Sequence, residues 1–262
     1  MKKKILSLYI TLIVLSSSAL AQHYTQAPNQ LEYDEAKWHF GFTLGPEFQN
    51  FRISNNSQSF IDDSRVEITD PEVTNAYFYS EVQKITPGFH VGIITSRRLG
   101  NYFNLRIIPS LSLGQREVKS IMYTEKKVDG EYQTTPGDNA IITTTNIKST
   151  YINVPVLIKY KAVRINNVRP YLVAGGAFKY DLATDFEDPI TLKKVDASLE
   201  LGMGSDFYLE TFRFGIEVRF GIGLLNVLQS DRPSDDNVDN AYLTSSIDRI
   251  RSKMFTIALN FE

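Results

Sequence analysis

The stretch "FRFGIEVRFGIGL", Phe212 to Leu224, alternates aromatic or aliphatic residues with Gly, Arg and Glu along most of its length. A period of two puts successive side chains on opposite faces of an extended strand, so one face here is apolar and the other carries Arg213, Glu217 and Arg219. The pattern recurs. In 37 to 48, Trp38, Phe40, Phe42 and Leu44 oppose His39, Gly41, Thr43 and Gly45, and in 88 to 95, Phe89, Val91 and Ile93 oppose His90 and Gly92. Residues 102 to 114 set Phe103, Leu105, Ile107, Leu111 and Leu113 against Asn104, Arg106, Ser110 and Ser112. Residues 150 to 160 set Ile152, Val154, Val156 and Ile158 against Asn153 and Lys159. Residues 169 to 180 form a strand whose phase the sequence leaves open. In 195 to 207, Val195, Leu199, Leu201 and Met203 oppose Asp196, Glu200, Gly202, Gly204 and Asp206. Strand 212 to 224 is the seventh, and 253 to 261, with Phe255, Ile257, Leu259 and Phe261 on one face, is the eighth.

The links sort by length. Those at 96 to 101, 161 to 168 and 209 to 210 are short, whereas 49 to 87, 115 to 149, 181 to 194 and 225 to 252 are longer and more polar. A soluble sandwich buries its apolar faces between two sheets and has no reason to sort its loops by end. An outer-membrane barrel does both: tight turns on one side, long loops on the other, apolar side chains to lipid and polar ones to the lumen. Lipid offers no partner to an unpaired backbone group, so the sheet must close. The fold expected is all-β, an eight-stranded antiparallel transmembrane barrel with long external loops, short periplasmic turns and both termini periplasmic. Aromatic rings settle at headgroup level, so Trp38, Phe40, Tyr102, Phe103, Tyr160, Phe207 and Phe212 should mark the periplasmic interface.

The first 22 residues have a basic start, an apolar run from Ile5 to Leu15 and the small-x-small triplet Ala19-Leu20-Ala21. They read as a signal peptide cut after Ala21, being too short in the apolar part for the ~20 residues that a spanning helix needs. The division expected is 1–21 signal peptide, 22–36 N-terminal periplasmic segment and 37–262 barrel, with no domain expected after the last strand. The chain has no Cys, hence no disulfide framework and no lipoprotein anchor. A net charge of -2 gives no reason to propose nucleic acid.

Eight strands enclose a space that side chains can fill. Arg106, Lys159, Glu200, Asp206, Arg213, Glu217 and Arg219 are bulky, of both signs and inward by parity, so they form a structural charge network that closes the lumen and argues against a passive pore. Strands six and seven, joined by a two-residue turn at Leu209-Glu210, should pair Asp206 with Arg213 and Glu200 with Arg219. Acyl transfer needs a nucleophile within reach of a base. The mature chain offers His23, in the N-terminal segment, and His39 and His90, which lie roughly 20 Å apart at ~3.3 Å per residue and cannot share a site. The expectation is no enzyme, no small-molecule substrate and no cofactor. Asp231, Asp235, Asp236 and Asp239 in the loop 230 to 240 are hard oxygen donors of the kind calcium accepts, but they lack the spacing of an EF-hand and read as a solvated loop. Residues 122 to 140 read as a hairpin standing above the membrane, with turn signals at Asp129-Gly130 and Pro136-Gly137.

The segments "RRLGNYFNLRIIPSLSLGQRE" (97 to 117), "YINVPVLIKYKA" (151 to 162) and "NNVRPYLVAGGAFKYDLA" (167 to 183) resemble the PorT/SprT family of outer-membrane barrels. "NVPVLIKY" recurs widely among small barrels, and "GGAFKYDLA" is more specific. The similarity extends over most of the mature chain. It implies an accessory or assembly role in type IX protein secretion and gliding motility, with other secretion-system proteins, outer-membrane lipid and lipopolysaccharide as partners, and it supplies no catalytic residues. The runner-up is a generic small barrel acting as an adhesin.

Overall fold

The computed structural model describes residues 29–56, 73–84, 86–128, 131–136, 142–183, 190–229 and 246–262. Its strands are β1 (Trp38–Asn55), β2 (Val73–Lys84), β3 (Thr86–Arg98), β4 (Phe103–Ile107), β5 (Ser110–Val128), β6 (Glu131–Pro136), β7 (Ile142–Lys161), β8 (Val168–Asp181), β9 (Val195–Tyr208), β10 (Arg213–Gly223) and β11 (Ile247–Phe261). All pairings are antiparallel between neighbours, and β1 pairs with both β3 and β11, which closes the sheet on itself. β4 and β5 make one stave, interrupted at Ile108–Pro109 because proline has no N–H to give the ladder. Around that break Ile108 N donates to Pro155 O and Ile93 N to Pro109 O. Among the described residues the ring therefore has eight staves, β1, β3, β4–β5, β7, β8, β9, β10 and β11. No described helix is long and apolar enough to cross a membrane.

Side-chain parity follows the sequence in the seven strands given a phase. Phe40, Ile93, Leu201, Met203, Phe220 and Ile222 stand exposed on the outside, while their neighbours in sequence turn into the lumen. For β8, whose phase was open, Arg169, Tyr171, Val173, Ala177 and Lys179 are buried and Leu172, Phe178 and Tyr180 are outside.

The strands run further than the alternation marks. Residues 49–55, 73–84, 115–128, 142–149 and 247–252, read as loop, are largely strand. The reason is that polarity inverts. On β1 and β11 the outward pair Phe48↔Phe255 is followed by Asn50↔Lys253, and on β5 and β7 Gln115↔Lys148 follows Leu113↔Thr150. Beyond that level the outside is polar, and the inside becomes an apolar core of Phe51, Val118, Ile147, Ile190, Leu192, Val227, Leu228, Ile247 and Ile250. Below the level lipid is the apolar solvent; above it water lies outside, so the apolar side chains turn inward. β5 and β6 form the hairpin expected over 122 to 140, Val128 pairing with Glu131 across the Asp129-Gly130 turn, itself outside the described residues.

At the opposite end the connections are 99–102, 162–167 and 209–212. The last corrects the expected register. Leu209 and Glu210 do not form a two-residue turn, which needs positive φ; Leu209 N donates to Phe212 O across a four-residue connection. Tyr208 consequently faces Arg213, Asp206 faces Gly215, and Glu200 faces Gly221, a shift of two residues from the expected pairing. A shift of two preserves which face each side chain occupies. In the 162–167 connection Asn166 does adopt φ 52°, which asparagine tolerates.

Candidate functional site

The lumen at membrane level is filled by side chains that the alternation drives inward. All seven residues expected there are buried. Lys159 on β7 donates to Asp206 on β9 at 2.6 Å, and Arg213 on β10 lies 3.3 Å from the same carboxylate. Arg213 also donates to Glu262, which takes a second hydrogen bond from Arg106 at 3.1 Å. Arg106 on β4 crosses to Glu217 at 2.7 Å. Arg219 Nε sits 3.1 Å from Glu217 Oε1, and Arg219 Nη1 donates to Glu200 at 3.2 Å. The Arg213–Asp206 and Arg219–Glu217 contacts are Coulombic, their N–H vectors being misaligned for hydrogen bonds. The result is a continuous ladder, Lys159–Asp206–Arg213–Glu262–Arg106–Glu217–Arg219–Glu200, with four cations alternating with four anions.

The pairs Arg213–Asp206 and Arg219–Glu200, expected as directly opposed residues, meet instead as diagonal neighbours, since long side chains reach across two positions. Lys159 Nζ also lies 3.6 Å from the Tyr171 ring centroid, a cation–π contact. Gly204 makes room for this: a Cβ there would stand 2.6 Å from Tyr171 Cζ.

Above the ladder lies a second polar layer that the sequence reading missed. Tyr151 Oη and Gln49 Nε2 donate to Glu47 Oε1 at 3.3 and 2.8 Å, Ser112 Oγ to Glu47 Oε2 at 3.3 Å, and the Arg116 guanidinium lies 4.0 Å from the Phe51 ring centroid. Beside this layer a void of about 20 Å³, bordered by Arg116, Tyr151, Lys179 and Asp196, has room for little more than a water. Charge ladder, polar layer and apolar core thus succeed one another along the lumen.

The short-turn mouth is covered by residues 29–37, whose only regular structure is a 3₁₀ turn, Tyr33–Glu35. The Tyr33 ring stacks on His39 at 4.2 Å, with the Arg213 guanidinium 4.6 Å away. Asp34 accepts hydrogen bonds from Arg169 at 2.7 Å and from Tyr208 Oη at 3.0 Å, and Lys161 Nζ lies 3.8 Å away. Asn29 accepts from Arg164 through its backbone oxygen and donates to Tyr208 O. Burial opposes ionisation of Asp34, but Arg169, Lys161 and the Tyr208 hydroxyl outweigh it and hold the carboxyl below the usual aspartate range.

That depression has a sign. Docking of the segment is favoured by ionised Asp34, fully so above the ordinary carboxylate pKa of about 3.9, and the advantage disappears as pH falls through the lower value of the docked state. Hydrogen exchange at residues 29–37 should therefore accelerate on acidification below about pH 4, and Asp34→Asn should be weakly docked throughout, without that pH dependence.

His39 and His90 are both buried in the lumen, six pairs apart along the β1–β3 ladder, His39 facing Ser96 and His90 facing Gly45. His90 Nε2 is 3.5 Å from Thr43 Oγ1. No group of three His, Cys, Asp or Glu is placed to hold a metal among the described residues. His23 and the loop 230–240 with Asp231, Asp235, Asp236 and Asp239 lie outside them.

The outside near the short turns carries the aromatic belt: Trp38, Phe40, Tyr102, Phe103, Tyr160 and Phe212 are exposed, with Phe103 on Tyr160 at 5.2 Å and Phe212 on Phe261 at 6.1 Å. The solved structure of the outer membrane protein OprG from Pseudomonas aeruginosa aligns with 86% of this chain and 95% of its own, at 12% identity and a TM-score of 0.41. No curated protein sequence matches. The family model described as outer membrane protein beta-barrel domain matches residues 20–229. With most of its length inside that match and its sheet closed around a polar lumen, the chain belongs to the outer membrane protein beta-barrel domain family.

Proposed function

We propose that this outer-membrane barrel is a non-enzymatic accessory or assembly component of type IX protein secretion and gliding motility, working through its loops and rim rather than by passing solutes. The observation that carries the reading of a non-conducting barrel is the ladder from Lys159 to Glu200, whose side chains are almost wholly withdrawn from water. The secretion role rests on the resemblance of 97–117, 151–162 and 167–183 to the PorT/SprT family. Residues 1–21 act as a signal peptide, and both termini and the short turns face the periplasm, leaving the long loops outside and lipopolysaccharide around the upper barrel. Protease on intact cells should then cleave only in the connections within 49–87, 115–149, 181–194 and 225–252 and spare 99–102, 162–167 and 209–212. A clean deletion tests the role itself: cargo with C-terminal sorting signals should disappear from the medium, and an unchanged secreted proteome would refute it.

The second reading, an adhesin or other surface-interaction barrel, is favoured by the part of the sheet above the lipid level. There Tyr77 stacks on Tyr123 at 6.1 Å and Tyr79 meets Tyr123 edge-on at 6.3 Å, on the outer face of β2 and β5. Loss of surface attachment with intact secretion would select it.

A further inference from the structure

Between the 99–102 and 162–167 connections the short-turn rim holds an open groove, with Asp34 at its inner end and Arg98, Arg164 and Arg169 along it. The three arginines differ in how their charge is met. Arg169 is paired with Asp34. Arg98 donates to Gly100 O, Glu35 O and Asn101 Oδ1, and Arg164 to Asn166 O, Asn29 O and Asn167 Oδ1. Every one of those acceptors is a neutral carbonyl oxygen, and among the described residues neither guanidinium meets a carboxylate. Arg164 is further fixed by lying 3.7 Å from the Tyr208 ring centroid. Two cations are therefore held in place by oriented carbonyls with their charge uncompensated, beside a third whose charge is spent on Asp34. Each guanidinium has five N–H donors and spends three on these carbonyls, which leaves two to meet a phosphate oxygen.

The outer lip of the groove identifies the source of that phosphate. It consists of Tyr102 and Val163, both exposed, and Tyr102 belongs to the aromatic belt beside Tyr160, with ring centroids 6.5 Å apart. Belt aromatics sit at headgroup level. The groove thus opens at the depth where lipid phosphates lie, with apolar rings on its membrane side to receive the first part of an acyl chain. We propose that Arg98 and Arg164 form a docking site for the phosphate of an anionic phospholipid in the leaflet bordering the short-turn rim. The proposal is independent of the secretion role.

The test uses the full mature barrel, delipidated in detergent, titrated with phosphatidylglycerol and read by native mass spectrometry. Arg98→Gln with Arg164→Gln should weaken lipid retention by about fivefold per arginine, the usual effect of removing one basic contact to an anionic membrane surface. Lys37→Gln with Arg97→Gln, on the same rim but outside the groove, should leave it unchanged. Heat-dependent gel mobility shows that each barrel is intact, and Arg98→Lys with Arg164→Lys, which keeps the charge and loses the fork, should retain an intermediate affinity. Equal losses from both glutamine pairs would reduce the effect to diffuse rim charge and overturn the site. Retention of a diacylglycerol with the same chains as firmly as the phospholipid would remove phosphate from the recognition. Binding of glycerol phosphate alone as tightly as the lipid would remove the membrane from it.

Discussion

Arg106→Ala is expected to lower the free energy of unfolding by about 3–5 kcal/mol, because removing one member of a buried ion pair leaves its partner charged and without compensation. Arg106 has no accessible side-chain surface, and neither has Glu217, to which it donates at 2.7 Å. The truncation also withdraws a donor from Glu262. An exposed ion pair would lose at most about 1 kcal/mol, so the size of the effect separates a desolvated ladder from a wet channel wall. Denaturant unfolding from detergent, followed by tryptophan fluorescence of Trp38, gives the number. A double-mutant cycle on Arg219 and Glu200 adds a finer check. Their 3.2 Å contact should show coupling although Glu200 faces Gly221 in the ladder, so proximity of charges and not strand register sets the interaction.

Ile216→Arg should cost about 2–4 kcal/mol, the range for a cation placed on the lipid face near mid-bilayer. Ile216 is 41% exposed on the outer face of β10, between Phe214 and Val218. The informative comparison lies higher on the same outside surface. Beyond the polarity inversion, Asn146 and Lys148 already face water, and Asn146→Arg, opposite Glu117, should change stability by no more than about 0.5 kcal/mol, as at ordinary surface sites. Gly215→Arg reports on something else, since even a Cβ at Gly215 would stand 3.1 Å from Asp206 Oδ1 and 3.3 Å from Asn260 Cβ. Its failure would measure lumen crowding.

The eight staves, and the inward residues of seven of them, were legible because lipid on one side and a polar lumen on the other impose a strict period of two. Where that condition ends, so does the signal: the upper parts of β5 and β7 are as much strand as the lower, but their outward Gln115 and Lys148 and inward Val118 and Ile147 reverse the expected polarity and read as loop. The register of β9 and β10 was two residues off because it depended on turn length, and Leu209 to Phe212 carry no residue that fixes it. Glu262 escaped notice as a ladder member, although parity after the outward Phe261 already turned it inward. Glu47 and Arg116 were hidden beside the point of inversion. The cap formed by Tyr33 and Asp34 had no periodic signature at all. Its position depends on Arg169, Lys161 and Tyr208, which the chain brings together only on closing the barrel.

The central claim is that the lumen is shut by its own side chains, and single-channel recording tests it most directly. Purified full-length mature protein inserted into planar bilayers should give no steady conductance, because the ladder, the Glu47 layer and the apolar core around Phe51 and Ile250 fill the barrel in succession. Steady, large openings from the unaltered protein would contradict the account.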